Sequence, residues 1–217
     1  MKISLIPAMM LGLALFAAPA AAKDKAPAPA SEPAAAPVSP VVDPDPAHDP
    51  ENVLLLDLST GGRVAIRLMP AWAPNHVERI KTLVRQGFYD GIIFHRVIDG
   101  FMAQTGDPTG TGQGGSTLPD LKAEFNAMPH LRGTVSMART NDPDSANSQF
   151  FVVFYPRFAL DRKYTVFGRV IGGMDAVDAI ERGEPPATPT RILRAAMAAD
   201  GASAPAPAVQ EAPAPAN

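Results

Sequence analysis

The sequence of 217 residues contains no cysteine and has a formal net charge of only −3. The absence of cysteine excludes disulfide bonds and thiolate metal sites, and it suits an oxidising compartment. The four histidines, His48, His76, His95 and His130, lack the spacing of H-x₃₋₅-H or HExxH motifs. No basic stripe is interleaved with aromatic residues. We therefore predict no metal, no cofactor and no nucleic-acid partner.

The N-terminus has the pattern of an export signal. A positive charge at Lys2 precedes a short apolar run, and Ala-Ala-Ala at 20–22 fits an A-x-A cleavage site. The apolar run is short for a bilayer span and is interrupted by Pro7. An uncleaved membrane anchor is the alternative interpretation. We predict that residues 1–22 are a signal peptide, cleaved after Ala22, which leaves no stable membrane insertion.

Two segments are rich in alanine and proline, at 23–50 and at 198–217. Such composition buries too little apolar surface to offset the entropy of ordering, and proline favours extended spacers. We predict a disordered linker over 23–50 and a disordered tail over 198–217. One domain of ordinary size remains, over 51–197.

Within that domain, strand-like patterns outnumber helical ones. A hairpin is predicted over 53–70, and a helix over 73–87 with Asn75 as its N-cap. Further strand-like runs and one short helical segment follow; the runs cover 92–98, 101–106, 133–138, 148–154, 164–171 and 190–198, and the helix 172–183. This pattern predicts a mainly β fold: a closed antiparallel eight-stranded barrel capped by two α-helices. The lack of βαβ alternation disfavours a parallel sheet.

The glycines at 110, 112 and 115 match G-x-G-x-x-G, the fingerprint of dinucleotide binding. That site requires a helix whose N-terminus holds the pyrophosphate. The following residues, 116–120, contain Pro119 and make a poor helix start. A mobile surface loop is the better interpretation, and a nucleotide-dependent oxidoreductase is disfavoured.

The stretch FHRVIDGFMAQTGD at 94–107 places Arg96 and Gln104 among apolar residues. The sequence SQFF at 148–151 again sets an amide beside aromatic side chains. One interpretation is that Arg96 extends to solvent from a sheet edge. The other is that the aromatic residues form a pocket into which Arg96 and Gln104 point.

The pleat of the predicted strands constrains this second interpretation. Side chains alternate between the two faces of a strand, so Phe94 and Arg96 are expected on one face. Phe101 and Gln104 cannot share a face in a regular strand. We therefore expect a bulge near Ala103, or a turn beginning at Gln104, to bring both toward Arg96.

Five motifs in order resemble the cyclophilin family of peptidyl-prolyl cis-trans isomerases: FHRVIDGFMAQTGD, GTGQGG, EFNAMPHLRGTVSMART, NSQFF and TVFGRVIGGMD. The resemblance covers essentially all of 53–197. A short loop after the first helix and an export signal make the chain most similar to bacterial periplasmic members. The resemblance implies a periplasmic monomer without cofactor, whose partners are proline-containing segments of unfolded or partly folded exported proteins.

The resemblance also implies site residues. The catalytic residues are expected to be Arg96 and Gln104, and the substrate-binding residues Phe101, Met102, Gly112, Ala138, Arg139, Gln149, Phe151, Leu160 and Tyr164. Three positions depart from the usual pattern. Tyr164 replaces a histidine of many members, Arg139 an asparagine, and Ala159 a tryptophan of eukaryotic members, which puts tight cyclosporin binding in doubt.

The chemistry of prolyl isomerisation explains why an arginine would lie among aromatic residues. Rotation of an X–Pro bond must break amide resonance, with a barrier of roughly 18–20 kcal/mol. The twisted state returns a lone pair to the prolyl nitrogen, and a donor aimed at that lone pair stabilises this state selectively. No covalent step is needed. The alternative function is a non-catalytic proline-peptide-binding or chaperone module, for which Arg96 would be dispensable.

Overall fold

The computed structural model describes residues 39–201, which form a mainly β fold with two α-helices. The predicted signal peptide and most of the predicted tail lie outside the described residues. The strands are β1 Val53–Leu58, β2 Arg63–Leu68, β3 Arg96–Ile98, β4 Met102–Thr105, β5 Thr134–Met137, β6 Phe150–Val153, β7 Val166–Gly172 and β8 Ile192–Met197. The helices are α1 Pro74–Arg85 and α2 Met174–Asp178. No helix among residues 39–201 is long and apolar enough to cross a membrane.

The eight strands form one antiparallel sheet in the order β3-β4-β6-β5-β7-β2-β1-β8. The prediction of eight antiparallel strands with two helices is confirmed, but the prediction of a closed barrel is wrong. The edge strands β3 and β8 do not pair with each other. Only a short contact lies between the chain around Ile92 and the start of β8, including a hydrogen bond of 2.9 Å from Ile192 N to Ile92 O. The sheet is therefore curled but open.

Helix α1 packs one face into the main core. Its buried apolar side chains are Val77, Ile80, Leu83 and Val84, as its helical period predicts. The predicted N-cap at Asn75 is wrong, because Asn75 lies inside the helix, which begins at Pro74 with Ala73 as its N-cap residue. Proline suits the first helical position, where its missing N–H costs no hydrogen bond. The backbone and side-chain nitrogens of Asn75 instead donate to Glu124.

The hairpin of β3 and β4 is regular, so the expected bulge near Ala103 is absent. The register pairs Arg96 with Gln104 and Val97 with Ala103 without a shift. Phe101 is not bound by the alternation of side chains along the strand, because it lies in the turn before β4, where its N–H donates to Ile98 O. The expectation that Phe94 shares the face of Arg96 is also wrong. The strand begins only at Arg96, and Phe94 joins the main core with Val97.

Part of the segment predicted as a linker lies on the domain. The buried Arg67 guanidinium donates to the backbone carbonyls of Asp43, Asp45 and Asp49, at 3.3, 2.6 and 2.9 Å. Trp72 Nε1 donates to Ser39 O at 3.0 Å. Thus residues 39–50, which we call the strap, differ from the disorder predicted for 23–50. The chain after β8 likewise continues in a 3-10 turn, Ala198–Asp200, within the predicted tail.

Candidate active site

One face of the sheet carries an apolar pocket. Cα partners across the strands run from Arg96 through Gln104 and Phe151 to Ser136. Directly paired residues of antiparallel strands project to the same face, so these four side chains share one face. The apolar cluster on this face consists of buried Met102, Phe151 and Val153 with partly buried Ile98, Phe101, Ala138, Leu160 and Tyr164. The structure thus brings together all five predicted pocket residues: Phe101, Met102, Phe151, Leu160 and Tyr164.

The aromatic side chains of this pocket are held by their packing. The rings of Phe151 and Tyr164 meet edge to face, with centroids 5.9 Å apart and an interplanar angle of 81°. The ring of His130 stacks on Phe151, with centroids 6.2 Å apart at 17°. Edge-to-face and offset-stacked pairs are favoured arrangements for aromatic rings. Phe151 therefore has a defined orientation at the base of the pocket.

His130, which the sequence did not single out for this site, supports that orientation. Its side chain is fully buried, with Nδ1 2.9 Å from Asp161 Oδ1 and Nε2 3.2 Å from Ser136 Oγ. Burial lowers the pKa of His130, and the Asp161 carboxylate opposes this only in part. The imidazole is therefore neutral at neutral pH, and Nδ1 carries the proton because a carboxylate can only accept.

A polar groove of about 850 Å³ adjoins the pocket. Six predicted site residues line it, namely Gln104, Gly112, Ala138, Arg139, Gln149 and Tyr164. Gln149 Nε2 donates to the carbonyls of Gly112 and Gly114, at 3.1 and 2.7 Å. Gln104 Nε2 in turn donates to Gln149 Oε1 at 2.8 Å. This relay fixes the orientation of both amides and leaves Gln104 Oε1 available as an acceptor.

The glycine-rich wall of the groove is organised by the buried carboxylate of Asp107. It accepts hydrogen bonds from the Thr109 backbone and hydroxyl, at 2.7 and 2.8 Å, and from Gly112 N at 2.6 Å. Burial raises the pKa of Asp107, but the hydrogen bonds outweigh burial and lower it to about 2. No helix follows this loop within residues 39–201 before β5, so the structure lacks the helix that a dinucleotide fingerprint requires.

Arg96 lies at the edge of this arrangement, on β3 directly opposite Gln104. Its side chain is 42% exposed, and its Nε lies 3.4 Å from Glu184 Oε1. Glu184 is brought there because Gly183 and Val97 exchange two backbone hydrogen bonds of 2.8 and 2.9 Å. The guanidinium is therefore partly exposed and paired with Glu184, on the sheet face that carries the pocket. Glu184 is a neighbour that no sequence pattern singled out.

Arg139 connects the pocket rim with the groove. Its Cζ lies 4.6 Å from the centroid of the Tyr164 ring, a cation–π distance. Its Nη2 and Nε donate to Lys163 O at 2.9 and 3.2 Å. A second cation–π contact lies at Phe101, whose ring centroid is 4.8 Å from Arg157 Cζ.

The fold and the site together define a class: an open β-sheet protein with a preformed apolar pocket beside a polar groove of peptide dimensions. In this class, apolar walls hold a compact side chain, and groove amides and carbonyls can bind an extended backbone.

Comparison with known proteins identifies the family. The profile of the family described as cyclophilin type peptidyl-prolyl cis-trans isomerase/CLD matches residues 55–197. A probable peptidyl-prolyl cis-trans isomerase of Brucella suis is 49% identical over 170 residues, which cover 71% of this chain and 86% of the relative. The chain belongs to the cyclophilin-type peptidyl-prolyl cis-trans isomerases, which confirms the predicted family and class of enzyme.

Solved structures agree with this assignment. A cyclophilin from Hirschia baltica superposes with a TM-score of 0.66 at 35% identity, covering 71% of this chain and 76% of the other. A cyclophilin type peptidyl-prolyl cis-trans isomerase of Cryptosporidium parvum, determined in the presence of the dipeptide Ala-Pro, gives a TM-score of 0.62 at 26% identity. The match covers 67% of this chain and 98% of that protein.

Proposed function

We propose that this chain isomerises X–Pro bonds at the described pocket and groove, with Arg96 as the donor to the prolyl nitrogen. The observation that carries the proposal is the row of Arg96, Gln104 and Phe151 on one sheet face. It sets a permanent cation and a fixed amide beside an aromatic floor. No nucleophile or base is required, because the reaction is a rotation.

The pocket and the donor have separate tasks. Phe101, Met102 and Phe151 hold the prolyl ring, and the acyl side of the bond rotates. At the twisted transition state, an N–H of Arg96 donates to the lone pair that the prolyl nitrogen regains. The planar ground state has no such lone pair, so this hydrogen bond lowers the barrier and does not merely tighten binding.

The groove holds the peptide backbone before the proline. Gln104 Oε1 and backbone carbonyls around Ala138 supply acceptors for it, whereas the Ala138 N–H already donates to Gln149 O at 2.9 Å. The Ala-Pro dipeptide present with the Cryptosporidium parvum relative supports proline-containing peptides as substrates. Arginine suits the catalytic role better than lysine, since its fork of donors is planar and rigid.

Protease-coupled isomerisation of a short Ala-Pro peptide tests this function. Wild-type protein is expected to accelerate the reaction, and Arg96→Ala to lose at least about tenfold, the effect of one charge-assisted hydrogen bond of about 1.5 kcal/mol. Equal rates for the two proteins would refute the role of Arg96. Absence of activity in both, with peptide binding retained, would support a non-catalytic binding or chaperone module.

We also propose that the protein acts in the periplasm, as a monomer, on unfolded or partly folded exported proteins. The support for this compartment is the N-terminal pattern of Lys2, a short apolar run and small residues up to Ala22. Mass spectrometry of the protein from bacterial cells is expected to find Lys23 at the N-terminus. Membrane-bound protein that retains Met1 would contradict the proposal.

A further inference from the structure

Arg139 is a fixed cation on the wall of the groove. Besides its two bonds to Lys163 O, its Nη1 donates to Thr140 O at 2.8 Å and approaches Asn141 O at 3.4 Å. Its Cζ lies near two aromatic rings, 4.6 Å from the Tyr164 centroid and 5.8 Å from that of Phe125. An arginine ordered in this way loses little further entropy when it binds a ligand.

The charge of Arg139 has no carboxylate partner within the described chain. None of the ion pairs among residues 39–201 includes it. The nearest acidic residues in sequence are engaged elsewhere: Asp142 Oδ1 accepts from Asp144 N, and Asp144 Oδ1 from Ala123 N, each at 2.9 Å. All four bonds of Arg139 go to neutral carbonyls, so its net charge remains and one N–H of Nη2, of the five in the guanidinium, is left to donate.

The groove contains one other charged lining residue, Asp120, whose Oδ1 accepts from Asn147 Nδ2 at 2.9 Å. The remaining lining residues are uncharged. The electrostatic character beside the Tyr164 rim is therefore set by Arg139. A peptide whose proline occupies the pocket must run past this cation to enter the groove.

We infer that Arg139 is a specificity-determining residue, which makes this enzyme favour client segments with an aspartate or glutamate shortly before the proline. The inference rests on the proposed function and adds a substrate class to it. The client carboxylate accepts from the Nη2 N–H that is left unbonded and is attracted by the charge, while the Tyr164 ring 4.6 Å from Cζ holds the guanidinium in place. A lysine would keep the attraction but lose the planar stacking.

The expected size follows from the exposure of the site. Arg139 is half-buried and the groove is open, so the pair resembles a surface salt bridge of about 0.2–1 kcal/mol. That range corresponds to a preference of about 1.5- to 5-fold in kcat/KM at low ionic strength. At about 1 M salt the Debye length falls to about 3 Å, and the preference is expected to disappear.

Exchange NMR on matched peptides tests the inference without a coupling protease. One pair carries Glu or Gln directly before proline, and a second pair carries them one position earlier. The full chain is compared with Arg139→Gln, Arg139→Lys and a control, Arg194→Gln, which removes the same charge from an exposed position on β8. Melting curves verify that each variant is folded.

We expect wild type and Arg194→Gln to favour the Glu peptide of at least one pair about threefold at low salt. Arg139→Gln should abolish this preference, and Arg139→Lys should retain part of it. Equal kcat/KM for Glu and Gln peptides in wild type, or an unchanged preference in Arg139→Gln, would overturn the inference while isomerase activity persists. Absence of catalysis by the wild-type protein on both the Glu and the Gln peptides would instead refute the proposed function.

Discussion

Substitution of Gln149 by Glu tests whether the amide relay holds the groove in shape. Gln149 Nε2 donates to Gly112 O and Gly114 O, and its Oε1 accepts from Gln104. A carboxylate can still accept from Gln104, but it has no N–H for the two carbonyls and places negative charge against them. The substitution therefore removes two hydrogen bonds selectively from the glycine-rich wall.

The size of the effect follows from those two bonds. Each contributes about 0.5–1.5 kcal/mol, and partial exposure lets water replace some of this, which leaves about 1–2 kcal/mol. Because the wall must then be ordered when peptide binds, KM is expected to rise about 5- to 30-fold, with a smaller change in kcat. Amide hydrogen exchange over the loop around Gly112 and Gly114 should accelerate in parallel.

Gln113→Glu is the matched control. Gln113 lines the same groove, and its side chain makes no hydrogen bond among the described residues. The substitution to Glu therefore adds the same negative charge without removing a hydrogen bond. Steady-state kinetics on one Ala-Pro peptide compares the two variants. Similar KM values for Gln149→Glu and Gln113→Glu would refute the role of the relay and attribute any effect to charge alone.

Three further predictions follow from other contacts. The pKa of Asp107 is lowered to about 2 from 3.8, so the ionised carboxylate stabilises the glycine-rich loop fully above about pH 4 and loses this effect as the pH falls toward 2. Hydrogen exchange of the loop amides should therefore accelerate over this pH range in wild type and show no such change in Asp107→Asn. Glu184→Gln removes an exposed pair worth about 0–1 kcal/mol and should raise kcat/KM up to about 3-fold at low salt only, by freeing Arg96; an equal rise at 1 M salt would contradict this. Arg67→Met should accelerate proteolysis within the strap about tenfold or more and leave the sheet resistant, because one charged hydrogen bond is worth about 1.5 kcal/mol. An unchanged cleavage rate in the strap would contradict the anchoring role of Arg67.

The identity of the strands and of the pocket residues could be predicted because both depend on local pattern. Alternation over 53–70 gave the first hairpin, and the motifs around Arg96 and Phe151 located the pocket on two strands. The pleat argument nevertheless predicted a bulge near Ala103. It assumed that Phe101 belongs to the strand, whereas the turn places Phe101 beside the pocket without any irregularity.

Closure of the sheet depends on distant pairing and could not be read from alternation. A strand pattern over 92–98 does not reveal that ladder geometry is lost before Arg96, and that loss leaves β3 as an edge. The strap escaped prediction for a related reason. Composition measures what a segment can bury by itself, but Arg67 and Trp72 of the domain supply the strap's partners.

The residues that support the site, His130 and Glu184, could not be predicted from the sequence either. His130 meets Phe151 only because β5 and β6 pair, and the register of Ser136 with Phe151 was not predicted. Glu184 reaches Arg96 through a backbone bridge between Gly183 and Val97, a contact across 86 positions of the chain. Patterns of residue type mark a site, whereas pairing between remote strands determines what supports it.

The central claim is that Arg96 stabilises the twisted transition state and not the bound peptide. Exchange NMR on a saturated Ala-Pro peptide measures the cis–trans rate inside the complex, and a titration gives Kd separately. For Arg96→Ala we predict a rate in the complex at least about tenfold lower, with Kd changed by less than about threefold. An unchanged rate in the complex together with a raised Kd would show that Arg96 only binds substrate, and would contradict the claim.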